Sequence, residues 1–144
     1  MLKGISPIIS PELLKCLASM GHGDTILIGD CNYPAESTSN KCIYADGVRA
    51  TELLDAVVTL LPLDTGEDEP PVILMCSRDE EDNPPAVWKD FKKIVLKYEP
   101  KAAFEAVDRF EFYKRAPKTF VSVRTSEQAY FGCIILRKGV WFTK

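Results

Sequence analysis

Thr25-Ile26-Leu27-Ile28-Gly29-Asp30 decides how this chain folds. Its apolar run is short and unbroken, the pattern of a strand buried on both faces rather than of a sheet with one wet side. A helix precedes it. Ser10 can cap, Pro11 suits the first helical position, Glu12 complements the positive end of the dipole, and Leu13, Leu14, Leu17 and Met20 fall on one face. Gly21 is the expected terminator, since glycine enters the left-handed conformation without steric penalty. A helix feeding a two-sided strand is the working unit of an α/β domain.

The same alternation continues downstream. A polar loop through Asn32-Tyr33-Pro34-Ala35-Glu36 leads to a strand at Cys42-Ile43-Tyr44-Ala45. Thr51 is the expected cap of a second helix, with Leu53, Leu54, Val57, Leu60 and Leu61 at helical spacing until Pro62. An acidic, proline-bounded loop from Asp64 to Pro71 precedes a third strand, Val72-Ile73-Leu74-Met75-Cys76, and Ser77 to Pro85 reads as loop. Trp88, Phe91, Ile94, Val95 and Tyr98 mark a helix interleaved with Lys89, Lys92, Lys93 and Lys97, expected to pack its aromatic stripe on the sheet with its lysines in solvent. The tail predicts a strand over 104–107, a helix over 110–116, and strands over 119–124 and 131–136. No linker or repeat divides residues 1–144, so the expectation is one α/β domain with helices covering a mostly buried sheet. The strand order does not follow from the pattern.

Composition removes several function classes. With 144 residues and 46% hydrophobic content the chain suits one core. Eighteen basic against 21 acidic residues leave a net charge of −3, a poor field for nucleic acid. No apolar stretch approaches the ~20 residues of a membrane span. Met1-Leu2-Lys3-Gly4-Ile5-Ser6-Pro7 lacks the apolar segment of a secretory signal, so a cytoplasmic location is expected. Five scattered cysteines, Cys16, Cys31, Cys42, Cys76 and Cys133, read as buried free thiols. With His22 as the only histidine they make no zinc or redox spacing, and no metal or cofactor is expected.

Catalytic signatures are sparse. Gly21-His22-Gly23-Asp24 lacks the third glycine and the strand-to-helix order of a dinucleotide fingerprint. There is no phosphate loop, no His-Glu-x-x-His and no nucleophile elbow, and no motif joins Cys31 or Cys133 to His22 as a nucleophile pair. His22 stands out by position. It lies between two glycines at a helix–strand junction, where its imidazole can project into a cleft and exchange protons near neutrality. Asp30 lies at the far end of the next strand, where open α/β sheets place ligand-binding groups.

Further blocks carry a resemblance. Leu2-Lys3-Gly4-Ile5-Ser6-Pro7, Ser10-Pro11-Glu12-Leu13-Leu14-Lys15, Met20-Gly21-His22-Gly23-Asp24 and Asn32-Tyr33-Pro34-Ala35-Glu36-Ser37 occur in that order. Ala45-Asp46-Gly47, Leu61-Pro62-Leu63-Asp64, the Arg109 to Ala116 block and Leu136-Arg137-Lys138-Gly139-Val140 follow. Together they resemble the fucose mutarotase family within the RbsD-like sugar mutarotases. The resemblance implies a three-layer α/β sandwich with a central, mostly parallel or mixed sheet. It implies interconversion of the α and β anomers of L-fucose or a related free monosaccharide, without cofactor or metal, in homo-oligomers that include decameric rings. It gives His22 the role of acid and makes Asp30 and Arg109 sugar ligands.

The chain departs from the family at one place. Phe131-Gly132-Cys133 stands where the pattern has Tyr-Gly-Asn, so this strand would line the pocket through packing and backbone groups. Strand alternation would aim the neighbouring Tyr130 at the opposite face, unless a bulge brings it back. The departure supports an alternative reading, a sugar-binding or structural member with little catalysis. A ribose-converting enzyme is a third reading, from which the Arg109 and Asn32 blocks point away.

Overall fold

The computed structural model describes residues 1–77 and 83–143. In chain order the elements are α1 (Pro11–Ser19), β1 (Thr25–Gly29), α2 (Ala35–Thr38), β2 (Cys42–Ala45), α3 (Ala50–Val58), β3 (Val72–Cys76), α4 (Val87–Tyr98), β4 (Phe104–Asp108), α5 (Arg109–Arg115), β5 (Val121–Thr125) and β6 (Ile134–Arg137). The six strands form one sheet in the order β2-β5-β1-β6-β3-β4. Strands β2, β5 and β1 pair in parallel, as do β3 and β4, while β6 runs antiparallel to both β1 and β3. Five strands therefore point one way, and the single reversed strand joins the two parallel blocks.

The side-chain period of two divides each central strand between two cores. Ile26 and Ile28 of β1, Leu74 of β3 and Ile134 and Leu136 of β6 pack beneath α1, α3 and α4. Leu27, Ile73, Met75, Cys133 and Ile135 face the other way, against Phe112 of α5 and Tyr33 and Ala35. These are the three layers of an α/β sandwich. The second helical layer is thin, two short helices, so one end of that sheet face is left as an open cleft.

Local chemistry accounts for most element ends. Ser10 Oγ accepts from the Leu13 N–H at 3.1 Å, which caps α1 as its sequence predicts. Lys89, Lys92, Lys93 and Lys97 of α4 are exposed while Trp88, Phe91 and Val95 are buried, and Trp88 Nε1 donates to the Met75 carbonyl at 3.2 Å. Three expectations change. Gly23, at φ 87°, rather than Gly21 takes the left-handed turn, because its N–H is held by the Lys138 carbonyl across the sheet end. α3 begins at Ala50, and its entry is fixed by the Arg49 N–H on Glu52 Oε2 at 3.0 Å, leaving Thr51 inside the helix. β6 starts at Ile134, and residues 130–133 form a turn instead of strand. Part of the loop expected over 77–85 lies outside the described residues. Among the described residues no helix is long and apolar enough to cross a membrane.

Candidate functional site

Because β1, β3, β4 and β5 end at the same edge of the sheet and β6 begins there, Asp30, Ser77, Asp108 and Cys133 gather at one place. They line a cleft of about 410 Å³ on the thin side of the sandwich, within the range of small-molecule sites. Its polar lining residues include Asp30, Asn32, Arg109 and Gln128. Met75, Phe110, Tyr113, Tyr130 and Phe131 supply its apolar and aromatic lining.

Asp30 follows Gly29, whose missing side chain is required. A Cβ there would lie 2.7 Å from the Tyr33 ring, so glycine lets that ring pack under the Asp30 turn. Asp30 is 8% exposed, and both carboxylate oxygens are held. Oδ1 accepts from the Asn32 N–H at 3.0 Å, and Oδ2 accepts from the Cys133 thiol at 3.4 Å. Cys133 is fully buried, and burial followed by the nearby Asp30 charge pushes its thiol well up from the usual cysteine range. It is a thiol at neutral pH and a poor nucleophile. Behind Asp30, burial raises Tyr33 to about 12, and its hydroxyl pairs with Thr38 Oγ1 at 2.9 Å.

Arg109 opens α5 immediately after Asp108, whose Oδ1 accepts from the Glu111 N–H at 3.0 Å and caps the helix. The exposed guanidinium lies 4.8 Å from the Phe110 ring centroid and 5.9 Å from that of Tyr113. Two aromatic faces thus pin a cation at the cleft. Burial raises the Tyr113 phenol from its ordinary value, and the Arg109 charge opposes that rise.

Phe131 is the one described non-glycine residue with positive φ, at 54°. Strand alternation consequently fails at 130–131, and Tyr130 and Phe131 both line the cleft, their rings edge-on at 4.4 Å. Gly132 contributes by what it lacks. A Cβ would stand 2.8 Å from Glu127 Cγ and 3.1 Å from the Ala129 carbonyl. Glu127 itself was illegible in the polar run Ser126-Glu127-Gln128, yet it is only 1% exposed. Its Oε1 accepts from the Ala129 N–H at 2.9 Å, its carbonyl accepts from Cys31, and Oε2 faces Arg49 Nε at 3.5 Å without a hydrogen bond. Glu127 thus ties the turn that carries Tyr130 and Phe131 to the loop after Asp30.

His22 is not in this cleft. It precedes β1 while Asp30 follows it, and six residue steps from Asp24 to Asp30 span roughly 20 Å. The half-exposed imidazole puts Nε2 3.3 Å from Asp64 Oδ2, and Arg137 Nε is 3.4 Å from the same oxygen. Ligand-type atoms of His22, Asp64 and Glu67 come within 4.8 Å of one another, but the Arg137 cation already neutralises Asp64 there. Asp30, Arg109, Phe131, Gly132 and Cys133 are brought together, and His22 belongs to the opposite end. The thiols differ from expectation at one position, Cys31, which is exposed, while Cys16, Cys76 and Cys133 are buried and Cys42 partly so.

Comparison with known proteins extends over the same span. The chain is 44% identical to the fucose mutarotase of Mus musculus, over 96% of this chain and 94% of that protein. The crystal structure of the fucose mutarotase from Streptococcus pneumoniae in complex with L-fucose superposes with a TM-score of 0.89 at 38% identity, covering 98% of this chain and all of the other. FucU from Bifidobacterium longum superposes with a TM-score of 0.90 at 36% identity, over 97% and 100% of the two chains. Residues 3–141 match the model of the RbsD/FucU transport protein family, and with the sandwich and cleft described above this chain belongs to that family.

Proposed function

We propose that this protein is a sugar mutarotase that interconverts the α and β anomers of L-fucose. The observation that carries the reading is that Asp30 and Arg109 line one cleft sized for one sugar ring together with several aromatic side chains. A 6-deoxyhexose offers hydroxyls on one side and C–H groups with a methyl on the other. The carboxylate accepts from the hydroxyls, the guanidinium donates to them, and Phe131, Tyr113 and Met75 take the apolar face. The relatives named as fucose mutarotases, one of them crystallised with L-fucose, support the choice of sugar.

The reaction needs little machinery. The ring oxygen gains a proton, the anomeric hydroxyl loses one, and the C–O bond opens to the aldehyde. Rotation about the bond to the carbonyl carbon and reclosure give the other anomer. Protons shift while one C–O bond opens and recloses, with no change of oxidation state and no group transferred, so neither cofactor nor metal has a step to perform, and general acid–base help of about 10²–10⁴-fold is the expected contribution. His22 serves as that acid from a neighbouring copy, since it stands roughly 20 Å from Asp30 in its own chain. Self-association is supported by Val140, Trp141 and Phe142, which remain exposed instead of folding back on the core, and by exposed Phe110 and Tyr130 at the cleft. Five free cysteines suit a reducing compartment such as the cytoplasm.

Anomer exchange followed by saturation-transfer NMR on L-fucose tests the reading. Acceleration over buffer, lost in Asp30→Asn and Arg109→Gln, is the expected result. L-fucose binding without faster exchange would support the non-catalytic alternative instead.

A further inference from the structure

We propose that Cys133 is a positioning residue, which aims the Asp30 carboxylate at the sugar instead of contacting the sugar itself. The inference rests on the mutarotase reading and gives one more residue of that site its task. Three observations carry it. Cys133 Sγ lies 3.4 Å from Asp30 Oδ2 and is the donor of that pair. The side chain is fully buried in the cleft wall beside Asp30, so its thiol has no solvent to turn to. The other carboxylate oxygen is fixed independently by the Asn32 N–H at 3.0 Å. Two donors from two different segments set both the plane and the rotation of the carboxylate. Each oxygen keeps a second lone pair for a sugar hydroxyl.

The geometry of the chain serves this placement. β6 is the reversed strand, paired with β1 in the register Ile28 with Ile134, so continuing that register sets Cys133 beside Gly29 and Gly132 beside Asp30, which brings the thiol next to the Asp30 carboxylate. The turn that ends in Cys133 is closed by its own N–H on the Phe131 carbonyl at 2.8 Å. That turn requires the left-handed Phe131 and the side-chain-free Gly132. A strand running straight through 131–133 would not close this turn.

A protonated thiol also suits the reaction. Opening the ring exposes an aldehyde in the cleft. A thiolate would add to its carbonyl carbon, with the π pair moving to oxygen, and trap it as a hemithioacetal. The buried thiol donates to Asp30 and leaves the aldehyde free to reclose.

The test uses the full chain and L-fucose as probe. Cys133→Ala should lower kcat/KM for anomer exchange by about tenfold or more, and Cys133→Ser, which keeps a donor, should recover it to within about threefold of the parent. The infrared S–H stretch of Cys133, isolated by difference against Cys133→Ala, should move to higher frequency in Asp30→Asn, as a neutral acceptor weakens the bond. A residue that merely fills space would show neither serine rescue nor a band coupled to position 30. An S–H band indifferent to Asp30→Asn overturns the proposal, and so does wild-type exchange in a folded Cys133→Ala. If the unmodified protein fails to accelerate L-fucose exchange, the mutarotase reading falls. The S–H band then decides by itself whether Cys133 holds Asp30.

Discussion

Mixing two inactive variants should restore activity. On the proposed mechanism, His22→Ala would keep the Asp30 cleft but lack the acid, and Asp30→Asn would keep the acid but lack the carboxylate. Each alone should slow anomer exchange by at least about tenfold, a bound set beneath the about 10²–10⁴-fold that acid–base assistance supplies. β1 with its flanking residues separates the two groups by roughly 20 Å, and a paired central strand of the sheet will not shorten. If the acid comes from a neighbour, each working site needs Asp30 from one copy and His22 from another. In a randomly co-assembled equimolar mixture about a quarter of the sites combine an intact Asp30 with an intact neighbouring His22, so about a quarter of wild-type activity should return. The assay is saturation-transfer NMR on L-fucose before and after subunit exchange, with co-assembly verified by mass spectrometry of the intact complex. Co-assembled mixtures that stay at the level of the separate variants would refute the cross-chain role. Wild-type exchange in His22→Ala would remove His22 from the mechanism.

Other consequences can be read from the same geometry. Glu127→Ala should loosen the turn over 128–131 and raise KM for L-fucose more than it lowers kcat, because Glu127 fastens the wall without lining the cleft. A change in kcat alone would contradict this. Phe131→Tyr adds a phenol hydroxyl at the cleft wall and should raise L-fucose affinity by about tenfold if a sugar hydroxyl there lacks a partner, as titration by NMR would reveal. Replacing Trp141 and Phe142 together by Ser should shift sedimentation at micromolar concentration towards the 16.1 kDa chain, and an unchanged profile would acquit this surface. Two guanidinium hydrogen bonds from Arg115 hold the Glu105 carboxyl below its ordinary value. A depressed carboxylate stabilises the fold above its unfolded-state value and loses that contribution as pH falls through the folded one. Urea midpoints of Arg115→Gln should therefore converge on wild type in acid and fall below it near neutrality.

How far the sequence could be read depended on whether the deciding contacts were local. β1 was legible because an unbroken apolar run has one economical interpretation, and α1 because Ser10 reaches only to Leu13. Gly23 was missed in favour of Gly21 because the hydrogen bond that selects it comes from Lys138, more than a hundred residues away. The late strand looked continuous from Phe131, since nothing in an apolar run announces a left-handed residue. Its break is enforced by Glu127 packed into the space that Gly132 leaves open, a contact made only after the sheet forms.

The candidate site shows the same division with a sharper consequence. Asp30 was legible because strand ends are where α/β sheets hold ligands, Arg109 only through the family resemblance, and both line the cleft. His22 was singled out by its place between two glycines ahead of β1, and the structure sets it at the end of the sheet opposite Asp30, beside Asp64 and Arg137. A strand that lies between two residues and is spanned end to end must hold them at opposite edges of the sheet, so the run that decided the fold already forbade His22 and Asp30 from sharing a cleft in one chain. Keeping both in one mechanism therefore demands a second chain. If His22 is the acid and the Asp30 cleft the sugar site, the two can meet only where that end of one copy joins the opposite end of another. Catalysis would then exist only in the assembly, and a monomeric variant with an intact cleft should still bind L-fucose while losing the acid's share of the rate.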